Sequence, residues 1–177
     1  RSATDPLIIA GGQACYNPEP MADFIDAFAI GEGEEVILEI THVYQAWKRA
    51  AAGREDLLSA LAKVPGVYVP SLYTVSYNPD GTIQAVTPRS KHANSPVIKR
   101  ILPKLPEPLT HFIVPNVQTV HDRLSVEIMR GCTRGCRFCH AGMVNRPVRE
   151  RSVEEIITAI KDGLAATGYD EVGILSL

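Results

Sequence analysis

Apolar residues in this chain come in short blocks closed by glycine, and the blocks alternate with stretches of helical periodicity. Leu7 to Ala10 is one such block, ended by Gly11-Gly12; Ala27 to Ile30 is another, followed by GEGEEV. Beyond it Val36, Ile37, Ile40, Val43, Tyr44 and Trp47 recur at helical intervals, which predicts a helix with one apolar side. Strand, glycine turn and helix in repetition is the pattern of a parallel α/β sheet. Roughly fifty residues are too few to bury such a sheet alone, so its other half is expected upstream.

From Arg54 the pattern changes. REDLLSALAKV predicts a short helix closed by Pro65-Gly66, and YTVSY and TIQAV flank NPDG as the arms of a β-hairpin. The stretch from Pro88 to Pro115 holds six prolines and reads as an extended connector. Between Arg89 and Lys104 it carries five Lys or Arg residues and no carboxylate, the mark of a solvated linker or of a docking strip for an acidic partner. LSVEIM at 124–129 is a strand. Further on, Ser152 and Glu155 have capping-box spacing, for a helix through about Ala165 with Val153, Ile156, Ile157, Ile160 and Leu164 as its apolar positions. EVGILSL closes a strand, loop, helix, strand unit. The expected divisions are 1–53, an α/β part; 54–120, a short helix, hairpin and connector; and 121–177, a β-loop-α-β part.

Composition narrows the class. The 177 residues are 45% hydrophobic and 21% charged, enough to build a core, with a net charge of -2 and a pI near 6.2. That balance gives no general affinity for nucleic acid or anionic membrane. No apolar run approaches a membrane span, and no secretory h-region opens the chain. Four cysteines, three of them clustered, are not the dispersed set of a secreted disulfide scaffold, so a reducing, cytoplasmic setting is expected. Both ends read as internal to a longer protein, the second lying inside a strand.

The chemistry concentrates in RGCTRGCRFCHAG, Arg130 to Gly142, where Cys132, Cys136 and Cys139 have the spacing C-x3-C-x2-C. Thiolates suit zinc, copper(I) and iron–sulfur clusters. Structural zinc wants four closed ligands, and His140, directly beside Cys139, is poorly placed to be the fourth. Cys136 to His140 matches C-x-x-C-H, the attachment motif of a c-type haem, but leaves Cys132 without a role. Three cysteines packed as small apolar groups suit a core rather than a loop of glycine and arginine; dispersed Cys15 fits that description better. The fourth reading is a [4Fe–4S] cluster on three thiolates, which leaves one iron without a protein ligand.

With an aromatic before its third cysteine and a strand ahead of it, this loop resembles the cluster motif of radical S-adenosylmethionine (SAM) enzymes. The resemblance implies that Cys132, Cys136 and Cys139 ligate the irons and that the open iron binds the amino and carboxylate groups of SAM. It implies reductive cleavage of SAM to methionine and a 5′-deoxyadenosyl radical, which attacks a substrate. Phe138 would lie against the adenine and the backbone around His140 would hydrogen-bond it; the plain alternative for Phe138 is a packing residue under the loop. No catalytic side chain is implied. An electron donor of flavodoxin or ferredoxin type is.

The whole chain is similar to one subgroup, radical SAM proteins with an N-terminal cobalamin-binding-like domain, and VHDRLSVEIMRGCTRGCRFCHAGMVNRPVRERS looks closest to a poorly characterised bacterial branch of it. The implied fold is α/β: a partial Rossmann-like sheet, a hairpin and linker, and the start of a partial TIM-like barrel. PLIIAGG and FAIGEGEEV resemble segments whose glycines admit the nucleotide tail of cobalamin, against the plain reading that these glycines solve a backbone problem. The D-x-H-x-x-G motif that contacts cobalt is absent, so cobalamin is unsupported by this sequence. The motif that holds the methionine amino group would lie beyond Leu177, so the chain alone is expected to be a poor catalyst. Six arginines against one glutamate crowd 130–151; cationic surroundings favour thiolates and a reduced cluster, and a solvated rim accounts for much of the excess. RNA as substrate rests on those charges alone. The rivals are a haem or iron–sulfur electron carrier and an interaction module with a vestigial site.

Overall fold

Ile9–Gly11 (β1) and Ala27–Ala29 (β2) pair in parallel, as expected for apolar runs joined by a crossing segment. The computed structural model describes residues 5–117 and 119–176 and gives a mixed α/β chain that divides into two units, 1–101 and 102–177. After β2 come the helices Gly33–Ala50 (α1) and Arg54–Leu61 (α2), then Val67–Tyr68 (β3), which adds to the free side of β2 in antiparallel sense. The first sheet therefore runs past residue 53, where the sequence reading had begun its connector. Ala27, Val36, Ile40, Leu57, Leu61 and Val67 form the main core of this unit. The buried stripe of α1 is 36, 40, 43 and 47; Ile37 and Tyr44, counted in the stripe from sequence, are 51% and 37% exposed because so narrow a sheet covers only one line of the helix. Cys15 is packed in a second cluster with Phe28, Tyr68 and Tyr73, and burial pushes its thiol pKa up.

The hairpin forms as read: Tyr73–Tyr77 (β4) and Ile83–Pro88 (β5) are antiparallel, and Asn78 N–H donates to Thr82 O at 2.8 Å across the turn. The proline-rich segment lacks regular structure apart from a bridge at Arg100, yet it is not a loose linker. Arg100 N–H donates to Ile30 O at 2.8 Å and Glu32 N–H to Arg100 O at 3.1 Å, seating the segment beside Gly31. The Arg100 guanidinium meets Glu39 at 2.7 Å and Glu35 at 2.9 Å. One charge of the supposed docking strip is thus spent on α1.

That seating explains Gly31 from within the chain. Its φ is +108°, and a Cβ there would stand 2.2 Å from Arg100 O and 2.5 Å from Arg100 N. Gly31→Ala is expected to destabilise the protein by at least about 2 kcal/mol, from strain plus displacement of the Arg100 segment. Urea unfolding reads the loss; an unchanged midpoint would mean that the segment is not seated there.

In the second unit Leu124–Arg130 (β6) is flanked by Val172–Ser176 (β8) in parallel and Arg149–Glu150 (β7) in antiparallel sense. A short helix, Ala141–Val144 (α3), and a long one, Val153–Thr167 (α4), complete it. Ser152 caps α4 as expected: Glu155 N–H donates to Ser152 Oγ at 3.1 Å and Ser152 N–H to Glu155 Oε2 at 2.9 Å. The fully buried residues of α4 are small, Ala159 and Gly163; Ile160 and Leu164 pack half-buried on the same cluster as expected, while Val153 and Ile157 are exposed. A Cβ at Gly163 would come within 2.8 Å of the Leu124 side chain, so the helix lies close on the strand through a gap rather than a knob. No helix among the described residues is long and apolar enough to cross a membrane.

Candidate metal centre

The cysteine loop leaves the carboxyl end of β6, the end where parallel α/β units gather their chemistry. Gly131, with φ +90°, turns the chain out of the strand, and the loop returns through α3 to β7, whose Arg149 and Glu150 pair with Arg130 and Met129. The loop is therefore closed at its base by the same strand that opens it.

All three loop cysteines are free; Cys132 and Cys139 are half-buried and Cys136 is exposed. Gly142 lies between two of them: a Cβ on it would be 3.5 Å from Cys139 Sγ and 4.0 Å from Cys132 Cβ. Backbone donors already address the sulfurs, Gly142 N–H to Cys139 Sγ at 3.3 Å and Arg134 N–H to Cys132 Sγ at 3.4 Å. Among the described residues, however, no group of three or more His, Cys, Asp or Glu side chains converges as a finished metal site. The loop brings Cys132 and Cys139 around one glycine and leaves Cys136 outward. In donor chemistry the set fits a cluster with soft ligands: three thiols with no carboxylate among them.

Phe138 is 91% exposed, so it packs under nothing and the core reading of this residue fails. His140 is also exposed, and its carbonyl accepts the N–H groups of Met143 and Val144 at 3.0 Å as α3 starts. Met143, which sequence reasoning passed over, is 54% exposed on that helix three residues after His140. The segment therefore carries an exposed aromatic at Phe138 and an exposed thioether at Met143. The only sequence signal for Met143 was that spacing.

The arginines correct another expectation. Rather than forming a solvated rim, four of the six are committed. Arg146 Nε donates to Gly142 O at 3.1 Å; Arg149 donates to Pro147 O, Asn145 O and Leu102 O at 3.1, 3.3 and 2.8 Å. Arg130 and Arg151 both reach Glu127. Arg134 and Arg137 are the exposed pair on the loop itself. What looked like a field of positive charge is mostly a set of backbone clamps, which weakens the case for nucleic acid.

The first unit gives cobalamin no support. The space beside Gly31 is filled by Arg100, while Gly12 and Gly33 of the same segments border open space. A cavity of about 620 Å³ is lined in part by Glu19, Asp23, Asp26 and Glu55, beside Leu58, Tyr73 and Tyr77, with Arg54 held against Asp26 at 2.9 Å. Those carboxylates make the cavity a poor host for a phosphate.

Two family models match parts of the chain. Residues 1–70 match the family model described as radical SAM proteins, N-terminal, and residues 126–176 match that of the radical SAM superfamily. An uncharacterised protein of Methanocaldococcus jannaschii is 26% identical over 179 aligned positions, covering 96% of this chain and 31% of the relative. The chain thus spans about a third of that relative's length. No solved structure matches.

Proposed function

We propose that this chain, which belongs to the radical SAM proteins, holds a [4Fe–4S] cluster on Cys132, Cys136 and Cys139 and serves the reductive cleavage of SAM. The observation that carries the reading is the trio of free thiols in a loop leaving a parallel strand, two of them already accepting backbone N–H bonds. When bound, such a cluster supplies an electron and an iron open to the sulfonium's amino and carboxylate groups. The chain's own share is local. Cys132 and Cys139 would supply ligands from beside Gly142, and Cys136 from the exposed side of the loop. Phe138 and Met143 would give the adenine an apolar face, and the backbone near His140 its polar edge. On this reading β6, α4 and β8 are the first elements of a TIM-like barrel, and 1–53 the latter part of a Rossmann-like sheet. The electron would come from a small redox protein of flavodoxin or ferredoxin type.

Anaerobic reconstitution with iron and sulfide is expected to load about four irons per chain. The reduced, loaded protein should release 5′-deoxyadenosine from SAM when the complete enzyme is used. Recovery of zinc alone, with no cluster under any condition, would sink the proposal.

A further inference from the structure

Between the end of β6 and the start of α3 the cysteine loop has no regular structure and is largely exposed, so its shape has to be set from its two ends. Arg130 stands where it begins, and Arg151 directly follows β7, to which the chain returns through α3. Their side chains meet on one carboxylate. Arg130 Nε donates to Glu127 Oε1 at 2.7 Å and its Nη2 to Oε2 at 3.2 Å; Arg151 Nη2 reaches the same Oε2 at 3.4 Å. Arg151 goes further, donating from Nε to Glu127 O at 2.8 Å and from Nη1 to Pro106 O at 2.6 Å, while its own N–H donates to Ile128 O at 2.9 Å. Its side chain is 3% exposed, and it is the buried charged residue among those described. A guanidinium taken that far from water is retained only when its donors are met. Here a fork of donors meets three acceptors on two segments, which a lysine ammonium cannot reproduce.

We propose that Glu127 and Arg151 are positioning residues of the cysteine loop, a clasp that ties its first residue to the strand just beyond its last. Three thiolates form a cluster site only if their spacing is held, and groups that orient ligands from behind commonly decide metal affinity. The clasp as a holder of the loop stands on the geometry alone. Its effect on a cluster rests on the function proposed above.

The test uses Glu127→Gln, which keeps the shape and removes the charge, and Arg151→Lys, which keeps the charge and removes the fork. Hydrogen–deuterium exchange of the metal-free protein is expected to speed up about tenfold in peptides covering 131–148, with α4 and β8 unchanged. In anaerobically loaded protein, iron should pass to a chelator about tenfold faster, and the electron paramagnetic resonance spectrum of the reduced form should change shape. If loop exchange, iron release and spectrum all match the parent, the clasp is wrong. A uniform rise in exchange across α4 and β8 also overturns it, because the residues then hold the fold and not the loop. Faster loop exchange in the two variants, together with a parent protein that never loads iron, would keep the clasp and reject the cluster.

Discussion

Cys132→Ala, reconstituted anaerobically with iron and sulfide, is expected to lose the iron–sulfur absorption and nearly all of its bound iron. This substitution separates the readings better than either of the other loop cysteines does. A haem on Cys136, Cys139 and His140 makes no use of Cys132, so that centre would survive the change. A cluster on three thiolates does not survive it, because two thiolates leave two irons without protein ligands. The structure adds a reason to expect a full effect. Cys132 lies beside Gly142 with Cys139, its sulfur accepting the Arg134 N–H, and among the described residues no carboxylate or imidazole gathers with these cysteines into a metal site. Cys15→Ala is the control. Its thiol is buried in the first unit among Phe28, Tyr68 and Tyr73, burial pushes its pKa up, and its removal should leave the iron content unchanged. A Cys132→Ala protein that still bound metal and gave a pyridine haemochrome would transfer the centre to C-x-x-C-H.

What the sequence made legible is whatever a local rule governs. Asn78 to Gly81 closes a hairpin and Ser152 with Glu155 caps a helix because those residues act on their own neighbours. Cysteine spacing after an apolar strand is equally local, and the loop falls where the pattern put it. Contacts between distant segments were not legible. Nothing near Gly31 announces that Arg100, far along the chain, occupies the space a side chain would need. Helical periodicity, which counts large apolar residues, found Ile160 and Leu164 on the packed side of α4 but not Ala159 and Gly163, its most buried residues; there the strand's Leu124 fills the gap that small residues leave. The arginines misled for a related reason. Charge counted along a sequence says nothing of which guanidinium ends on a carbonyl, and Arg149 and Arg151 end on Leu102 and Pro106, more than forty residues upstream.

Gly131→Ala is expected to impair the centre as severely as loss of a cysteine, without touching a sulfur. Two costs add at this position. The first is conformational: φ of +90° is a region that side chains rarely adopt, and forcing one there costs about 1–3 kcal/mol. The second is steric. A Cβ would stand 2.6 Å from Pro147 O and 2.8 Å from Asn145 O, and both carbonyls are backbone and cannot swing aside. Both also accept hydrogen bonds from Arg149, so displacing them loosens the clamp that returns the loop to β6. Alanine's lower entropy in the unfolded chain offsets only about 0.4–1 kcal/mol, so the sign is not in doubt. The relief available is to move the returning segment outward, which carries Gly142 and Cys139 away from Cys132. Iron content after reconstitution should therefore collapse, while urea unfolding followed at Trp47, in the first unit, keeps its parental midpoint. Retention of full iron content by Gly131→Ala would mean that the thiols find their spacing without this turn, and that the loop is shaped by the metal rather than by the strand that opens it.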